Sequence, residues 1–385
     1  MSLRLGRTRN VQEAPIVKLL SCAKIPSDAI SLGQGLPFFG PPSEVVSSIS
    51  KVLSSRRSFE YTEDAGARSF RDAIADKLQK ENLFKVDPQK NIIVTAGGNQ
   101  AFVIASMMVT DIGDEIILPS PYYFNHKMAI ELVGCHPIFV DTDENYQLDA
   151  LKIFEKITEK TKAIVTISPN NPTGIVYSEN TLKEINNYCR DNKIYHISDE
   201  VYEHFLFDNA THTSPAVFDI NLKHTISIFS FSKSFGMGGY RIGYMVVPVA
   251  LYNEGLKVQD TVGVCAPAIA QIAAEAAYRS SLGYTNRYLP TIAKTRKIFI
   301  ERLKGLSYLE MPTSKGAFYF FLKLHTKKSS WDIAKKLIEK YGVITIPGDA
   351  FGATFPSLRL SYGNLTEFFA EEGISRLING LDEIL

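Results

Sequence analysis

The sequence predicts an α/β protein with a mostly parallel central sheet wrapped by helices and a second, smaller α+β domain. Apolar runs rich in β-branched residues recur along the chain, amphipathic segments lie between them, and the pattern changes after about residue 280. Runs that are apolar throughout are typical of strands buried on both faces of a sheet. They lie at 91–95, 115–118, 137–140, 163–167, 195–198, 225–229 and 243–247.

The segments between these runs have the period of helices. In 180–192, Leu182 and Ile185 lie on one stripe of a helix, and Lys183 and Glu184 lie on the opposite face. Connections of this kind join parallel strands and cover the two faces of a sheet.

The later part of the chain predicts a second unit. A long, charge-rich helical region at 286–306 precedes a hairpin-like apolar run at 316–324 and a helix near 331–341. We therefore expect a large domain at 45–284 and a small domain formed by 1–44 plus 285–385. No linker rich in Gly, Pro or Ser separates them, so the cleft between two packed domains is the expected site.

Composition excludes several classes of partner. Lys+Arg (42) and Asp+Glu (41) nearly balance, so the net charge of +1 favours neither nucleic acid nor an anionic membrane. The nearly uncharged stretch 261–278 contains Pro267 and Glu275, and it predicts a packed helix rather than a bilayer span. Four scattered cysteines and a start without a secretory signal indicate a reducing compartment, so we expect a cytoplasmic protein. The histidines show no spacing typical of metal ligands, and no metal site is expected.

The densest chemical signal follows the predicted strand at 225–229. Ser230, Ser232 and Lys233 come first, and a glycine-rich turn leads to Arg241. A lysine beside other cations or in an apolar setting has a lowered pKa, so its neutral amine can attack a carbonyl. Hydroxyls and an arginine suit a phosphate dianion. A glycine- and serine-rich loop with a solvated lysine is the alternative for this fragment alone.

Polar residues also follow three other predicted strands, where ligands gather in open α/β sheets. Asp199 either faces a site or caps the following helix. Asn171, in 168–174, either presents an amide to the site or belongs to a turn. Gly98 and Asn99 open an apolar helix whose N-terminus can bind an anion, although this signal alone is weak.

In this order, the motifs at 171–174, 199–202, 230–233 and 239–241 resemble those of the class I and II aminotransferases of fold type I. The family includes aspartate, aromatic, methionine and kynurenine aminotransferases, and the resemblance covers almost the whole chain. It implies pyridoxal 5′-phosphate as cofactor and a ping-pong transfer of an amino group between an L-amino acid and a 2-oxo acid.

The resemblance implies a role for each motif residue. Lys233 is similar to the lysine that carries the cofactor as a Schiff base and later moves the substrate proton. Asp199 is similar to the carboxylate that keeps the pyridine nitrogen protonated, and Tyr202 and Asn171 to the residues that bind the ring's phenolic oxygen. The remaining cofactor contacts are implied for Ser230, Ser232, Arg241 and the backbone of Gly98 and Asn99 at the phosphate, and for Tyr123 stacked on the ring.

Three more positions carry implied contacts. Gly35, in 31–37, is similar to the closing segment that approaches the substrate carboxylate, and Arg359, in 358–361, is similar to the arginine that binds this carboxylate together with Asn171. Tyr61 resembles the tyrosine that reaches the partner's cofactor phosphate across a two-fold interface, which implies a homodimer.

The substrate is less constrained. Aspartate-preferring relatives often carry a lysine where this chain has Asn99, so an aromatic or methionine-like amino acid is favoured, and aspartate or kynurenine stays open. A carbon–sulfur β-lyase or a cyclopropane-forming synthase on the same scaffold is an alternative. A non-catalytic regulator that binds pyridoxal phosphate is an alternative of a different class.

Overall fold

A seven-stranded sheet forms the centre of the protein in the computed structural model, which describes residues 6–385. The strands of the described residues are β1 (Ile30–Ser31), β2 (Ile92–Thr95), β3 (Glu115–Ser120), β4 (His136–Asp141), β5 (Thr161–Ile167), β6 (Tyr195–Asp199), β7 (Thr225–Ser230), β8 (Gly243–Val246), β9 (Leu309–Glu310), β10 (Tyr319–Leu324), β11 (Val343–Ile344), β12 (Ile346–Pro347) and β13 (Ser357–Ser361). The order across the central sheet is β2-β8-β7-β6-β5-β3-β4, and each predicted strand lies in it.

The helices of the described residues cover this sheet and the smaller sheets described below. They are α1 (Pro15–Cys22), α2 (Ser43–Val52), α3 (Arg68–Glu81), α4 (Gly98–Val109), α5 (Phe124–Val133), α6 (Ala150–Glu155), α7 (Glu179–Asn192), α8 (Phe231–Ser234), α9 (Val249–Gly263), α10 (Ala268–Ser280), α11 (Leu289–Leu303), α12 (Ser330–Tyr341) and α13 (Glu367–Ile384). Successive side chains of a strand point to opposite faces of the sheet. In β2, Ile92 and Val94 therefore pack into the hydrophobic core on one face, and Ile93 packs into the core on the other. The predicted α/β class is confirmed.

Strand β8 runs against its neighbours. It pairs antiparallel with both β2 and β7, whereas β3, β4, β5, β6 and β7 pair in parallel. Gly243, the first residue of β8, therefore lies opposite Thr95 and Ser230, the last residues of β2 and β7. The start of β8 thus shares an edge with the ends of the parallel strands.

The C-terminal part forms a separate antiparallel sheet. Its order is β12-β13-β10-β9, and α11, α12 and α13 accompany it. The N-terminal β1 pairs with β11, with Ile30 opposite Val343. This pairing supports our proposal that 1–44 belongs with 285–385, and that 45–284 forms the large domain.

Two predicted elements differ from the structure. The stretch 261–278 is not one helix, because α9 ends at Gly263 and α10 begins at Ala268. Pro267 cannot continue a helix from the preceding turn, and Val264 has a left-handed φ of 59°. The run 316–324 is not a hairpin either: it contains β10, which pairs with the distant β13 and with β9. Within 6–385, no helix has both the length and the apolar character needed to span a bilayer.

Candidate active site

A cavity of about 240 Å³ opens at the edge where the parallel strands end. Each of the predicted site residues except Tyr61 lines it. These residues are Gly35, Gly98, Asn99, Tyr123, Asn171, Asp199, Tyr202, Ser230, Ser232, Lys233, Arg241 and Arg359. Residues that are more than 300 positions apart in the sequence thus meet in one place.

Lys233 lies on the short helix α8, immediately after β7. Ser230 caps this helix by accepting a hydrogen bond from the backbone N–H of Ser232. The Lys233 Nζ donates to the carbonyl oxygen of Gly35 at 2.6 Å. Burial lowers the pKa of Lys233 to about 8, with further lowering by Arg359 and Arg241, while Asp199 opposes the shift. The lowered pKa increases the share of this amine that is neutral near neutral pH.

Asp199 ends β6 and is held at both carboxylate oxygens. Its Oδ1 accepts the backbone N–H of Val201 at 3.1 Å, and its Oδ2 lies 3.1 Å from Nε2 of His126. His126 is itself fixed, because its ring stacks on Phe102 with centroids 3.8 Å apart. The carboxylate is therefore buried and fixed in orientation, which suits a group that faces a single atom of a ligand ring.

A chain of polar contacts crosses the middle of the cavity. The amide Nδ2 of Asn171 donates to the hydroxyl of Tyr202 at 3.4 Å, and this hydroxyl lies 2.7 Å from that of Tyr319. The Asn171 Oδ1 accepts from Nη1 of Arg359 at 2.9 Å, which fixes the orientation of the amide. Burial is the main cause that raises the pKa of Tyr202, so its hydroxyl keeps its proton.

One end of the cavity is suited to an anion. Helix α4 begins there at Gly98, and its first N–H groups have no partners within the helix. A Cβ at Gly97, whose φ is 88°, would lie 2.6 Å from Nη2 of Arg241. The hydroxyls of Ser230 and Ser232 are hydrogen-bonded to each other at 3.0 Å beside this helix end. Hydroxyls, a guanidinium and a helix N-terminus are groups that suit a phosphate.

Arg359 lies at the other end, on β13. Its Nη2 donates to the carbonyl oxygen of Gly33 at 2.6 Å, and its guanidinium lies over the rings of Tyr319 (4.7 Å) and Phe351 (4.9 Å). Its Nε has no hydrogen-bond partner among the described residues. A buried guanidinium with an unused donor can bind a small carboxylate.

Tyr61 lies outside this cavity. Its side chain is 81% exposed, and it borders a smaller cavity with Arg57 and Gln271. The structure of one chain therefore does not bring it together with the other site residues. Its predicted role in the site of a partner stays a prediction.

Sequence reasoning missed two residues of the site. His126 holds Asp199, and Tyr319 contacts Tyr202 and lines the cavity. The signal for Tyr319 lies in the strand pairing: Phe321 is opposite Arg359, and Tyr319 lies on the same face of β10. This register cannot be obtained from periodicity alone. Among residues 6–385, no three His, Cys, Asp or Glu side chains form a metal-binding group.

Comparisons with known proteins agree with this geometry. The sequence profile of the family described as aminotransferase class I and II matches residues 27–377. A probable aspartate/prephenate aminotransferase of Aquifex aeolicus is 36% identical over 368 residues, which cover 93% of this chain and 92% of that protein. An aromatic aminotransferase of Arabidopsis thaliana is 31% identical over 368 residues, which cover 93% of this chain and 91% of that protein.

The same similarity holds in three dimensions. The crystal structure of an aromatic aminotransferase from Pyrococcus horikoshii superposes with a TM-score of 0.88 at 31% identity, covering 96% of this chain and 99% of that chain. The predicted fold type I and the predicted aminotransferase activity are confirmed. By its sequence, by its fold and by the residues gathered at the end of its parallel sheet, this chain belongs to the class I and II aminotransferases.

Proposed function

We propose that the cavity binds pyridoxal 5′-phosphate at Lys233. With it, the enzyme would transfer amino groups between an aromatic or methionine-like L-amino acid and a 2-oxo acid. The observation that supports this most directly is that Lys233 and Asp199 line one cavity, with the amine's pKa lowered to about 8. Few other functions require a nucleophilic amine and a buried carboxylate facing the same small volume.

The residues present fit the chemical groups of this cofactor. A phosphate suits the end formed by Arg241, Ser230, Ser232 and the start of α4, because each supplies hydrogen-bond donors. A protonated pyridine nitrogen suits Asp199, whose carboxylate is already oriented by His126. A phenolic oxygen suits Tyr202 and Asn171. The aromatic ring of Tyr123 lines the same cavity and is available for stacking.

When bound, pyridoxal phosphate supplies an aldehyde that captures amines and a ring that withdraws electrons from the substrate's Cα. The protein's part is to place and to move protons. Asp199 keeps a proton on the ring nitrogen, which preserves the ring's electron demand. Once displaced by the substrate amine, the Lys233 amine would take the proton from Cα and deliver it to the carbon of the former cofactor aldehyde, because its lowered pKa suits a general base near neutral pH.

Arg359 and Gly35 would orient the substrate. The guanidinium offers Nε and its fork of donors to the α-carboxylate, and Asn171, already bonded to Arg359, lies beside it. Gly35 has no room for a side chain, since a Cβ would lie 2.2 Å from the Tyr319 hydroxyl oxygen. The backbone of Gly35 therefore packs directly against Tyr319 at the wall of the cavity, where a bulkier residue would not fit.

The aromatic or methionine-like preference is supported by Asn99. This residue is uncharged and lies at the cavity with Tyr123 and Phe124. A second substrate carboxylate there would lose its hydration without gaining a cation, which costs several kcal/mol for a buried charge. Relatives named as aspartate/prephenate and as aromatic aminotransferases both exist, so aspartate and kynurenine are the competing substrates to test.

We further propose a homodimer that works in a reducing compartment such as the cytoplasm. Phe59 (70% exposed) and Tyr61 (81% exposed) are neighbouring aromatic side chains at the surface of one chain, as a partner-binding segment would present them. The four cysteines, all within the described residues, are free thiols.

The test of the proposed function is spectroscopic and kinetic. Purified protein with pyridoxal phosphate should show a visible absorption band, and borohydride should fix the cofactor covalently to Lys233. Amino donors should then be tested with several 2-oxo acids, with phenylalanine, methionine, aspartate and kynurenine in parallel. Stoichiometric formation of a new amino acid supports transamination; release of ammonia without an acceptor would instead indicate a lyase.

A further inference from the structure

Beyond the residues that the family motifs single out, the hydroxyl of Tyr319 makes a contact that bears on the cofactor. We propose that Tyr319 is a positioning residue: its hydroxyl donates to Tyr202 and thereby commits the Tyr202 proton to the cofactor's phenolic oxygen. The proposal rests on the proposed function. Its consequence is that Tyr319 sets the pH at which the cofactor-linked nitrogen of Lys233 loses its proton.

The contact itself is short and buried. The two hydroxyl oxygens lie 2.7 Å apart, and the rings meet edge-on with centroids 5.5 Å apart. Both side chains are buried. In a pair of hydrogen-bonded hydroxyls one donates and the other accepts, because each hydroxyl has one proton and two acceptor positions.

The remaining contacts of Tyr202 are compatible with Tyr319 as the donor. Arg359 donates to Oδ1 of Asn171 at 2.9 Å, so the amide's Nδ2 must face the Tyr202 oxygen, which it does at 3.4 Å. Tyr202 therefore already accepts one hydrogen bond. If it also accepts the Tyr319 proton, both its acceptor positions are used, and its own proton is free to point into the cavity.

Tyr319 is held in place for this task. Its hydroxyl packs against the backbone of Gly35, where any Cβ would come within 2.2 Å of it. Its ring lies under the Arg359 guanidinium at 4.7 Å. Strand β10, which carries it, pairs with β13, which carries Arg359. The tyrosine thus joins the closing segment, the substrate-binding arginine and the cofactor-binding tyrosine.

The effect on protonation follows from this donor order. A hydroxyl that accepts a hydrogen bond becomes a stronger donor, because hydrogen bonds in a chain polarise one another. A stronger hydrogen bond from Tyr202 stabilises the ionised phenolic oxygen of the cofactor. The phenolic oxygen then attracts the proton on the nearby nitrogen less strongly. Tyr319 should therefore lower the pH at which this proton is lost.

The experiment compares the visible absorption of the holoenzyme across pH in wild type and in Tyr319→Phe. The midpoint should rise by about 0.5 to 1 pH unit, the equivalent of one net hydrogen bond. A matched control is Tyr278→Phe, which removes a hydroxyl from another buried tyrosine pair, Tyr244–Tyr278 at 3.1 Å. Tyr278 does not line the cavity, so the control should lower Tm as a lost buried hydrogen bond does and leave the midpoint unchanged.

Three further variants separate the effect of the Tyr319 hydroxyl from a loss of folding and from a direct contact of Tyr319 with the cofactor. Tyr319→3-fluorotyrosine keeps the hydroxyl but makes it a stronger donor, so the midpoint should fall. Tyr202→Phe and the double variant Tyr202→Phe/Tyr319→Phe should share one midpoint, because Tyr319 acts through Tyr202. A further shift in the double variant would overturn the proposed route.

The outcomes also separate this inference from the proposed function. A wild-type protein without any cofactor band would remove the proposed function, and the inference with it. A wild-type band whose midpoint is unchanged in Tyr319→Phe and in the fluorinated variant would overturn the role of Tyr319 alone.

Discussion

The Nζ of Lys233 donates a hydrogen bond to the carbonyl oxygen of Gly35 at 2.6 Å, across 198 positions of sequence. Lys233 follows a central strand, whereas Gly35 belongs to the N-terminal segment that follows β1. A hydrogen bond therefore joins the reactive amine to the backbone of the N-terminal segment at the wall of the cavity. A movement of this segment changes the amine's hydrogen bonding.

The lowered pKa of Lys233 predicts how cofactor loading depends on pH. Only the neutral amine attacks an aldehyde, and its fraction grows as the pH rises through about 8. The rate at which the apoprotein takes up pyridoxal phosphate should therefore increase from pH 6.5 to 9 and level off above. Stopped-flow absorbance measures it. Pyridoxal without phosphate serves as the control for titration of the phosphate, and a midpoint above 10 would contradict the buried position of the amine.

Arg359→Lys should reduce kcat/KM by about 10- to 100-fold. A single ammonium replaces a planar fork of donors, so one charged hydrogen bond to the substrate carboxylate is lost. Steady-state kinetics with a preferred amino acid measures the effect.

The same variant should behave differently with an amine that lacks the carboxylate. With such a donor, the kcat/KM values of wild type and Arg359→Lys should differ by less than about threefold, because the substrate has no carboxylate for residue 359 to bind. An equal loss with both donors would mean that Arg359 acts on the site as a whole, through Asn171 or Gly33, and not on the substrate.

Asn99→Lys should shift the substrate preference toward dicarboxylic amino acids. A cation at the start of α4 can pair with a second substrate carboxylate, and a charged hydrogen bond of about 1.5 to 3 kcal/mol corresponds to a factor of about 10 to 100. The ratio of kcat/KM for aspartate to that for phenylalanine should rise by this factor. Asn99→Gln is the uncharged control, and a ratio that moves equally in both variants would show that size, not charge, governs selection.

The buried ion pair beneath the site should be important for stability. Lys77, fully buried on α3, pairs with Glu203 just after Tyr202, and Asn82 donates to the same carboxylate at 2.7 Å. Lys77→Met leaves this buried carboxylate without its lysine partner, so the free energy of unfolding should fall by about 3 to 5 kcal/mol. Denaturant titration measures it. The exposed pair Lys257–Glu254 is the control, and Lys257→Met should cost less than about 1 kcal/mol.

The pH dependence of this loss has a definite sign. Burial raises the pKa of Glu203, but Lys77 and two histidines outweigh burial and lower it to about 2. In wild type, the stability contributed by this group is present above pH 4.5 and is lost as the pH falls toward 2. In Lys77→Met the carboxyl takes up a proton readily, so the difference between the two proteins should shrink across that range. A constant difference would exclude ionisation as its cause.

The proposed dimer makes Tyr61 testable. If Tyr61 contacts the partner's cofactor phosphate, Tyr61→Phe should raise the Kd for pyridoxal phosphate by about 10-fold, the worth of one charge-assisted hydrogen bond, while sedimentation still shows a dimer. Tyr308→Phe, in a residue distant from the cavity, is a matched control with no expected effect. Monomeric wild-type protein with full cofactor affinity would contradict the shared site.

Sequence patterns predicted the central sheet and most of the cavity because both depend on local signals. The strands were visible as apolar runs; Asp199 ends one of them, and Asn171 and Lys233 lie four and three residues after the ends of two others. Residues that follow parallel strands must meet at one edge, so their convergence required no knowledge of distant contacts. The resemblance to a known family supplied Arg359 and Gly35, which no periodicity would have joined.

The missed features depend on contacts between distant segments. Tyr319 enters the cavity through the pairing of β10 with β13, and a one-residue slip would turn its side chain away. His126 reaches Asp199 only because α5 packs on α4, where the ring stacks on Phe102. The break between α9 and α10 has a local cause: Val264, with its positive φ, and Pro267 interrupt a stretch whose alanines favour one continuous helix.

The reversed direction of β8 has a consequence for how far this protein tolerates change. Parallel strands return through crossovers that pass the far edge of the sheet, but the stretch from β7 to β8 turns back without leaving the cavity. Lys233 and Arg241 are thus two points on one short return, and inserting a single amino acid there alters the spacing between amine and guanidinium. Insertions in crossovers at the opposite edge leave that spacing intact. Length variation should therefore be frequent on one side of the molecule and nearly absent on the other.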